Sequence, residues 1–277
     1  MSTSKLGRLR YKTIDGLSIR YATGGISSEI SILLLGTWPE SIYAYLPTWD
    51  VLASIGRLVA VDLPGFGHSE SRPGIVSPEP MGDFVVKIVE SFELYRPHAV
   101  GPDIGTPTLL YAAANHPTLL KSIVIGGGAT DVRHIGDILY DMVNAPSIDQ
   151  FETMTGAQFV NGALAGLRNY KLPDYALKDY LDSYEGDRLL KSMEFVRHYT
   201  TALPRLAQRL ADVKIPCQII AGRDDPYVPV SNALGLRRSL KKSKLDILEC
   251  GHFAWEDKAE EYGALAADWF KGGYERV

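Results

Sequence analysis

Cysteine is scarce in this chain: Cys217 and Cys250 are the only two in 277 residues. Both fall in apolar, strand-like runs, which argues against a disulfide framework and for buried thiols in an intracellular protein. No apolar run reaches the roughly 18 residues that a membrane span needs. The opening segment, Met1 to Arg10, is polar and basic and lacks the apolar core of a secretion signal. Charge of one sign is missing too. Lysine and arginine total 29 against 33 acidic residues, a net charge of -4, so there is no basic footprint for nucleic acid. Histidine and cysteine are scattered without metal-ligand spacing. There is no internal repeat and no low-complexity segment. These absences predict a cytoplasmic protein with no nucleic-acid or membrane partner and no bound metal.

What is present is an alternation. Ile30 to Leu35, Arg57 to Val61, His98 to Val100, Ser122 to Ile125, Cys217 to Ala221 and Leu245 to Leu248 read as short strands. Near-continuous apolar runs of this kind fit a parallel sheet covered on both faces. Glu79 to Leu94, Thr106 to His116, Val230 to Leu240 and Asp257 to Lys271 are long enough to be crossover helices. The alternation predicts a mostly parallel, doubly wound α/β sheet. From Ala129 to Leu203 no strand is legible. That stretch is rich in helix formers and in tyrosine: Tyr140, Tyr170, Tyr175, Tyr180, Tyr184 and Tyr199. A long insertion between strands usually covers a site. The expected division is a core of residues 1–128 and 204–277 with a helical lid of 129–203.

One short motif carries the chemistry. Ala99-Val100 leads into Gly101-Pro102-Asp103-Ile104-Gly105, and a helical pattern follows. This is the strand-turn-helix elbow G-x-S-x-G with aspartate in place of the serine. Side chains at the flanking glycines should clash in so sharp a turn. Thr106 and Pro107 suit a cap and first helical turn, and a helix N-terminus favours an anion at Asp103. As ordinary turn residues, Gly, Pro and Asp could mean no more than a turn. Two further contexts give Asp103 a mechanism. Asp225 follows one strand pattern in Gly222-Arg223-Asp224-Asp225-Pro226, and His252 follows the next in Cys250-Gly251-His252-Phe253. All three lie past carboxyl ends of strands, where open α/β sheets place their sites. Asp131 competes with Asp225 for the role of orienting acid.

With nucleophile, acid and histidine in that order, the chain resembles the α/β-hydrolase fold family over nearly its whole length. Gly36-Thr37-Trp38-Pro39 looks like the family's His-Gly-x-Pro loop, with Gly36 and Thr37 standing where His and Gly are usual. The aspartate elbow and the insertion are similar to the branch of epoxide hydrolases and haloalkane dehalogenases. The resemblance implies a covalent ester on Asp103, hydrolysed by water that His252 activates and Asp225 orients. It implies backbone N–H donors at Trp38 and Ile104 for the oxyanion. It implies no cofactor. Gly67-His68-Ser69-Glu70-Ser71 imitates the elbow but ends in Ser71 with no helix behind it, so Ser69 is read as a decoy.

A carboxylate attacking an ester would give an anhydride and no progress; one attacking an sp³ carbon gives a stable ester. The leaving group then decides. An epoxide needs a proton donor, and Tyr199 and Tyr140 match the family's lid tyrosines. A halide needs N–H donors, but Ile104 stands where dehalogenases place tryptophan. Residues 104–115 also contain no Arg or Lys to hold a fluoroacetate-type substrate. The expectation is epoxide hydrolysis of a small apolar organic substrate by a monomer or homodimer. Haloalkane dehalogenation, or ligand binding without hydrolysis, is the alternative.

Overall fold

The computed structural model describes residues 6–277, so the first five positions of the basic opening segment lie outside it. The apolar runs become the parallel strands of one eight-stranded sheet. They are β3 (Ser31–Leu35), β4 (Arg57–Val61), β5 (His98–Pro102), β6 (Ile123–Gly126), β7 (Cys217–Gly222) and β8 (Ser243–Leu248). The order across the sheet is β1-β2-β4-β3-β5-β6-β7-β8. Both faces are buried, as the runs require. On β3, Leu33 and Leu35 pack into the core on one face while Ile32 and Leu34 pack on the other. Two further strands, β1 (Arg10–Ile14) and β2 (Leu17–Gly25), form an antiparallel hairpin, and β2 runs antiparallel to β4. The hairpin turns at Asp15 and Gly16, both at positive φ, as a two-residue turn demands.

Helices cover the sheet: α1 (Trp49–Ala53), α2 (Pro78–Ser91), α3 (Gly105–Asn115), α9 (Val230–Ser239), α10 (Ala254–Asp257) and α11 (Ala259–Phe270). Between β6 and β7 the described chain contains no strand. It holds α4 (Asp137–Val143), α5 (Gly156–Leu164), α6 (Asp174–Ser183), α7 (Arg188–Arg197) and α8 (Tyr199–Arg209). A boundary at Leu203 falls inside α8, which continues to Arg209 and whose Ala202 carbonyl accepts from Tyr111 of α3.

Buried polar contacts fasten this inserted chain to the sheet side. Arg20 of β2 pairs with Asp62 and donates through both terminal nitrogens to Asp179 of α6. Ser41 Oγ also donates to Asp179, at 2.6 Å. Asp257 Oδ1 accepts the N–H groups of Arg168, Asn169 and Tyr170 at 2.8, 2.6 and 3.3 Å. Charged groups shielded from water need such partners. Cys217 and Cys250 are free and buried. Among the described residues no helix is long and apolar enough to cross a membrane, and no cluster of His, Cys, Asp and Glu could hold a metal.

Candidate active site

The backbone turns at Asp103 with φ 53°, a region that residues with a side chain seldom enter. Gly101 permits the turn. A Cβ there would stand 2.6 Å from Leu109 Cδ1 and 2.9 Å from the Gly105 carbonyl oxygen. Gly105 differs from expectation: a Cβ there would meet only Leu35, at 3.6 Å, an ordinary contact. Thr106 is not the cap either, because α3 already begins at Gly105. Its hydroxyl instead accepts from Gly126 N–H at 2.9 Å and faces the carbonyls of Gly101 and Gly126 at 3.1 and 3.0 Å. Thr106 therefore pins the elbow to β6.

The Asp103 carboxylate is held from two sides. Trp38 N–H donates to Oδ2 at 2.7 Å. His252 Nε2 stands 3.8 Å from Oδ1, an ion-pair distance longer than a hydrogen bond. The other ring nitrogen, Nδ1, bonds Asp225 Oδ2 at 2.8 Å. Asp225 is itself fixed, since Oδ1 accepts the N–H groups of Tyr227 and Val228 at 2.8 and 2.9 Å. Asp131 does not compete for the ring. It caps a short 3-10 turn and pairs with Arg133. Burial opposes a charge on His252, but the carboxylates of Asp225 and Asp103 outweigh it and lift the imidazole to about 10. At neutral pH the ring is an imidazolium between two carboxylates.

The elbow opens into a cavity of about 560 Å³, roofed by residues of α4 and α5 and floored by Trp38, Asp103 and His252. Its size suits a small-molecule site. Among the described residues no lysine or arginine lines it. Tyr199, at the start of α8, lines the cavity and is nearly fully buried. Burial and the charge of Asp103 raise its phenol well above the ordinary value, so it keeps its proton. Its hydroxyl bonds no other described residue. Tyr140 is not brought there. It is 53% exposed on α4, while Ile138, Leu139 and Met142 of the same helix line the cavity. Ile104 follows Asp103 as the N-cap of α3, fully buried, among the first N–H groups that lack a partner within the helix.

Residues 30–259 match the family model of the alpha/beta hydrolase fold. The chain belongs to the alpha/beta hydrolase fold family. This hydrolase is 26% identical over 270 residues to a 2-hydroxy-6-oxononadienedioate/2-hydroxy-6-oxononatrienedioate hydrolase of Paraburkholderia phymatum, covering 91% of this chain and 90% of the relative. It is 24% identical to a 2-hydroxy-6-oxo-6-phenylhexa-2,4-dienoate hydrolase of Comamonas testosteroni, covering 98% and 97%. Its fold matches a haloalkane dehalogenase loop variant from Bradyrhizobium elkanii with a TM-score of 0.81 at 19% identity, covering 97% of this chain and 98% of that one. It also matches an enol-lactonase from Burkholderia xenovorans with a TM-score of 0.78 at 17% identity, covering 95% and 100%.

Several groups around the hydrolase's site escaped sequence reasoning. Tyr227 lines the cavity and sets its ring edge-on to His252, with centroids 5.0 Å apart. Its place two residues after Asp225 was the available signal, because the turn that caps Asp225 carries the ring there. Ser192 of α7 accepts the Trp38 indole N–H at 2.9 Å and donates to the Leu189 carbonyl at 2.7 Å. Nothing local marks it. Ser69 behaves as a decoy should: its buried hydroxyl donates to the Asp62 carbonyl and accepts Arg20 N–H.

Proposed function

We propose that this hydrolase opens a neutral, apolar epoxide through a covalent ester on Asp103. The observation that carries the reading is a carboxylate at the elbow, anchored by Trp38 N–H, with Tyr199 lining the same cavity and its phenol under the influence of the Asp103 charge. Asp103 Oδ1 attacks an oxirane carbon, the C–O bond breaks, and the alkoxide takes the Tyr199 proton. The imidazolium of His252 then returns a proton to the phenolate. Esterification has removed one of the two charges that held that proton on the ring. Neutral His252 takes a proton from water, which attacks the ester carbon. Negative charge collects on Oδ2, where Trp38 N–H already points. Collapse expels the diol, which His252 protonates, and the Asp103 acid proton passes back to His252. Epoxide plus water gives diol, and every group returns to its starting state.

Two other readings fit less well. Halide displacement needs N–H donors at the leaving group. Ile104 offers an apolar side chain, and the Trp38 indole is occupied by Ser192. The two relatives named above act on dienoates, which carry carboxylates. This cavity presents its own carboxylate and, among the described residues, no lysine or arginine to receive another. The test is a panel of styrene-oxide-type epoxides, bromoalkanes and a ring-cleavage dienoate, each with wild type and Asp103→Asn. The expected result is diol formation that the substitution abolishes while the fold stays intact. Halide release alone, or dienoate cleavage that survives Asp103→Asn, would overturn the proposal. The inserted helices, residues 129–203 in the sequence reading, act in this scheme as the cover that keeps bulk water from the ester. The reaction is that of a cytoplasmic enzyme on a small organic molecule.

A further inference from the structure

Behind the Trp38 loop lies a second pair of acids that the proposed chemistry does not use. Glu40 is 0% exposed and Glu256 is 2% exposed. Each has one oxygen satisfied. Trp255 Nε1–H donates to Glu40 Oε1 at 3.2 Å, and the Tyr180 hydroxyl donates to Glu256 Oε1 at 3.0 Å. The remaining oxygens, Oε2 of both residues, are buried without a partner. Trp255, the residue just before Glu256, bonds Glu40 and so brings the two carboxyls together. Each acts on the other more strongly than any other side chain does, and the Thr37 hydroxyl, also buried without a partner, acts on Glu40 as well. Two bare carboxylates buried side by side would carry a large penalty from desolvation and repulsion. A proton on one of them removes the repulsion and supplies the missing donor to the other.

The connections of the pair give it a role. Glu40 is two residues from Trp38, whose N–H holds Asp103. Trp255 is three residues from His252, and its ring stands edge-on to the imidazole with centroids 5.5 Å apart. Tyr180 lies on α6, and Tyr184, just past that helix, donates to the Glu40 carbonyl at 3.0 Å. Three separate segments therefore meet at the pair: the Trp38 loop, the His252 loop and the inserted chain. We propose that Glu40 and Glu256 share a single proton, and that this acid pair positions the Trp38 amide and the His252 loop against Asp103. The positioning part rests on the reading of Asp103 given above; the shared proton does not.

Among the described residues, the titratable groups that act most strongly on the pair are acidic. They are Asp103, Asp257 and the phenols of Tyr45, Tyr170 and Tyr180. Burial pushes both carboxyls upward, and the charge of Glu40 pushes Glu256 further. The folded protein therefore keeps a proton that the unfolded chain releases at the ordinary glutamate value. Stability falls as pH rises above that value, until the folded pair also ionises.

Infrared difference spectroscopy of the full chain tests the shared proton, with no substrate required. Wild type at neutral pH should show a protonated-carboxyl carbonyl band, absent from both Glu256→Gln and Glu40→Gln. The glutamine amide supplies a permanent donor, so Glu256→Gln should keep kcat within about threefold at neutral pH. Its Tm should fall less than that of wild type between pH 6 and pH 9, by at least about 3 °C. His252 titrates in both proteins, so the difference between the two curves isolates the pair. Glu256→Ala, which cannot donate, should lose kcat at least about tenfold with little change in KM. If either glutamine variant fails to fold, the wild-type band and its loss on raising the pH still decide the matter. Absence of that band, or Tm curves for wild type and Glu256→Gln that run parallel, would overturn the shared proton. A band that behaves as expected, in a protein that turns over no epoxide, would instead sink the reading of Asp103.

Discussion

Replacing Asp225 with asparagine should separate the two halves of the proposed reaction. Asp225 Oδ1 already accepts two backbone N–H groups, from Tyr227 and Val228. The asparagine carbonyl can take that place, which turns its NH₂ toward His252 Nδ1. That nitrogen must then accept, so the ring's proton moves to Nε2 and points at Asp103. A ring in that tautomer cannot take a proton from water. The charge is lost as well. Asp225 is the strongest of the influences that raise His252 to about 10, and burial, which opposes the charge, would then have only Asp103 against it. The imidazole should titrate near or below its ordinary value, about 6.5. Ester hydrolysis should slow by about 10³–10⁴, equivalent to roughly 4–5.5 kcal/mol in the barrier. Attack by Asp103 needs no base and should change by less than about tenfold. Rapid-quench mass spectrometry would follow the adduct, and NMR would follow the ring. The reasoning fails if the variant hydrolyses its ester within about tenfold of wild type, or if His252 still titrates near 10.

His252→Gln should accumulate a covalent adduct on the peptide containing Asp103, read by intact mass and peptide mapping; an adduct on Ser69 would reject the scheme. Tyr199→Phe should slow epoxide opening by about 10²-fold while sparing any displacement of bromide, which needs no proton. Tyr140→Phe, at an exposed position away from the cavity, should stay within about twofold of wild type; a large loss there would restore Tyr140 as a donor. Because the folded value of His252 is raised, its contribution to stability is complete below about 6.5 and drains away as pH climbs toward about 10. Melting curves should show wild type losing Tm across that window and His252→Gln losing less; equal slopes would refute it.

The sequence exposed what is written locally. The elbow, Asp225 and His252 each follow a strand within a few residues, so a strand pattern and a turn locate them. The parallel strands were legible because both faces of that part of the sheet are buried, leaving unbroken apolar runs. The β1–β2 hairpin escaped the same test. Four of the five residues of β1 are exposed, so its pattern is broken and polar; the Asp15-Gly16 turn was the better signal. Tyr140 shows a different limit. On α4, Ile138, Leu139 and Met142 share a face at spacings of three and four, and Tyr140 falls on the far side. Which side of an inserted helix meets the sheet is settled by packing, and the tyrosine count could not report it. The meeting of Glu40 with Glu256 is beyond any local pattern, since 215 positions separate Glu40 from Trp255, the neighbour of Glu256.

The inserted helices are secured unevenly. Arg20 and Ser41 bolt α6 through Asp179, Asp257 holds the loop before it, and Arg188 at the start of α7 donates to the carbonyls of Gly67 and Ser69. The roof over Asp103, by contrast, is drawn mainly from residues 138–163, with Met142, Met154 and Phe159 among them. The part from α6 to α8 is thus tied to the sheet side by buried charged and polar contacts, whereas α4 and α5 meet it through the Gly136 N–H on the Tyr227 carbonyl and the Phe159 ring against Trp38. Substitutions at cavity-facing positions of α4, such as Ile138, Leu139 and Met142, can remodel which molecules enter while the contacts that hold Asp103, Asp225 and His252 stay in place. A single ancestral catalyst of this design could acquire new substrates by rewriting such positions, with its chemistry carried over unchanged.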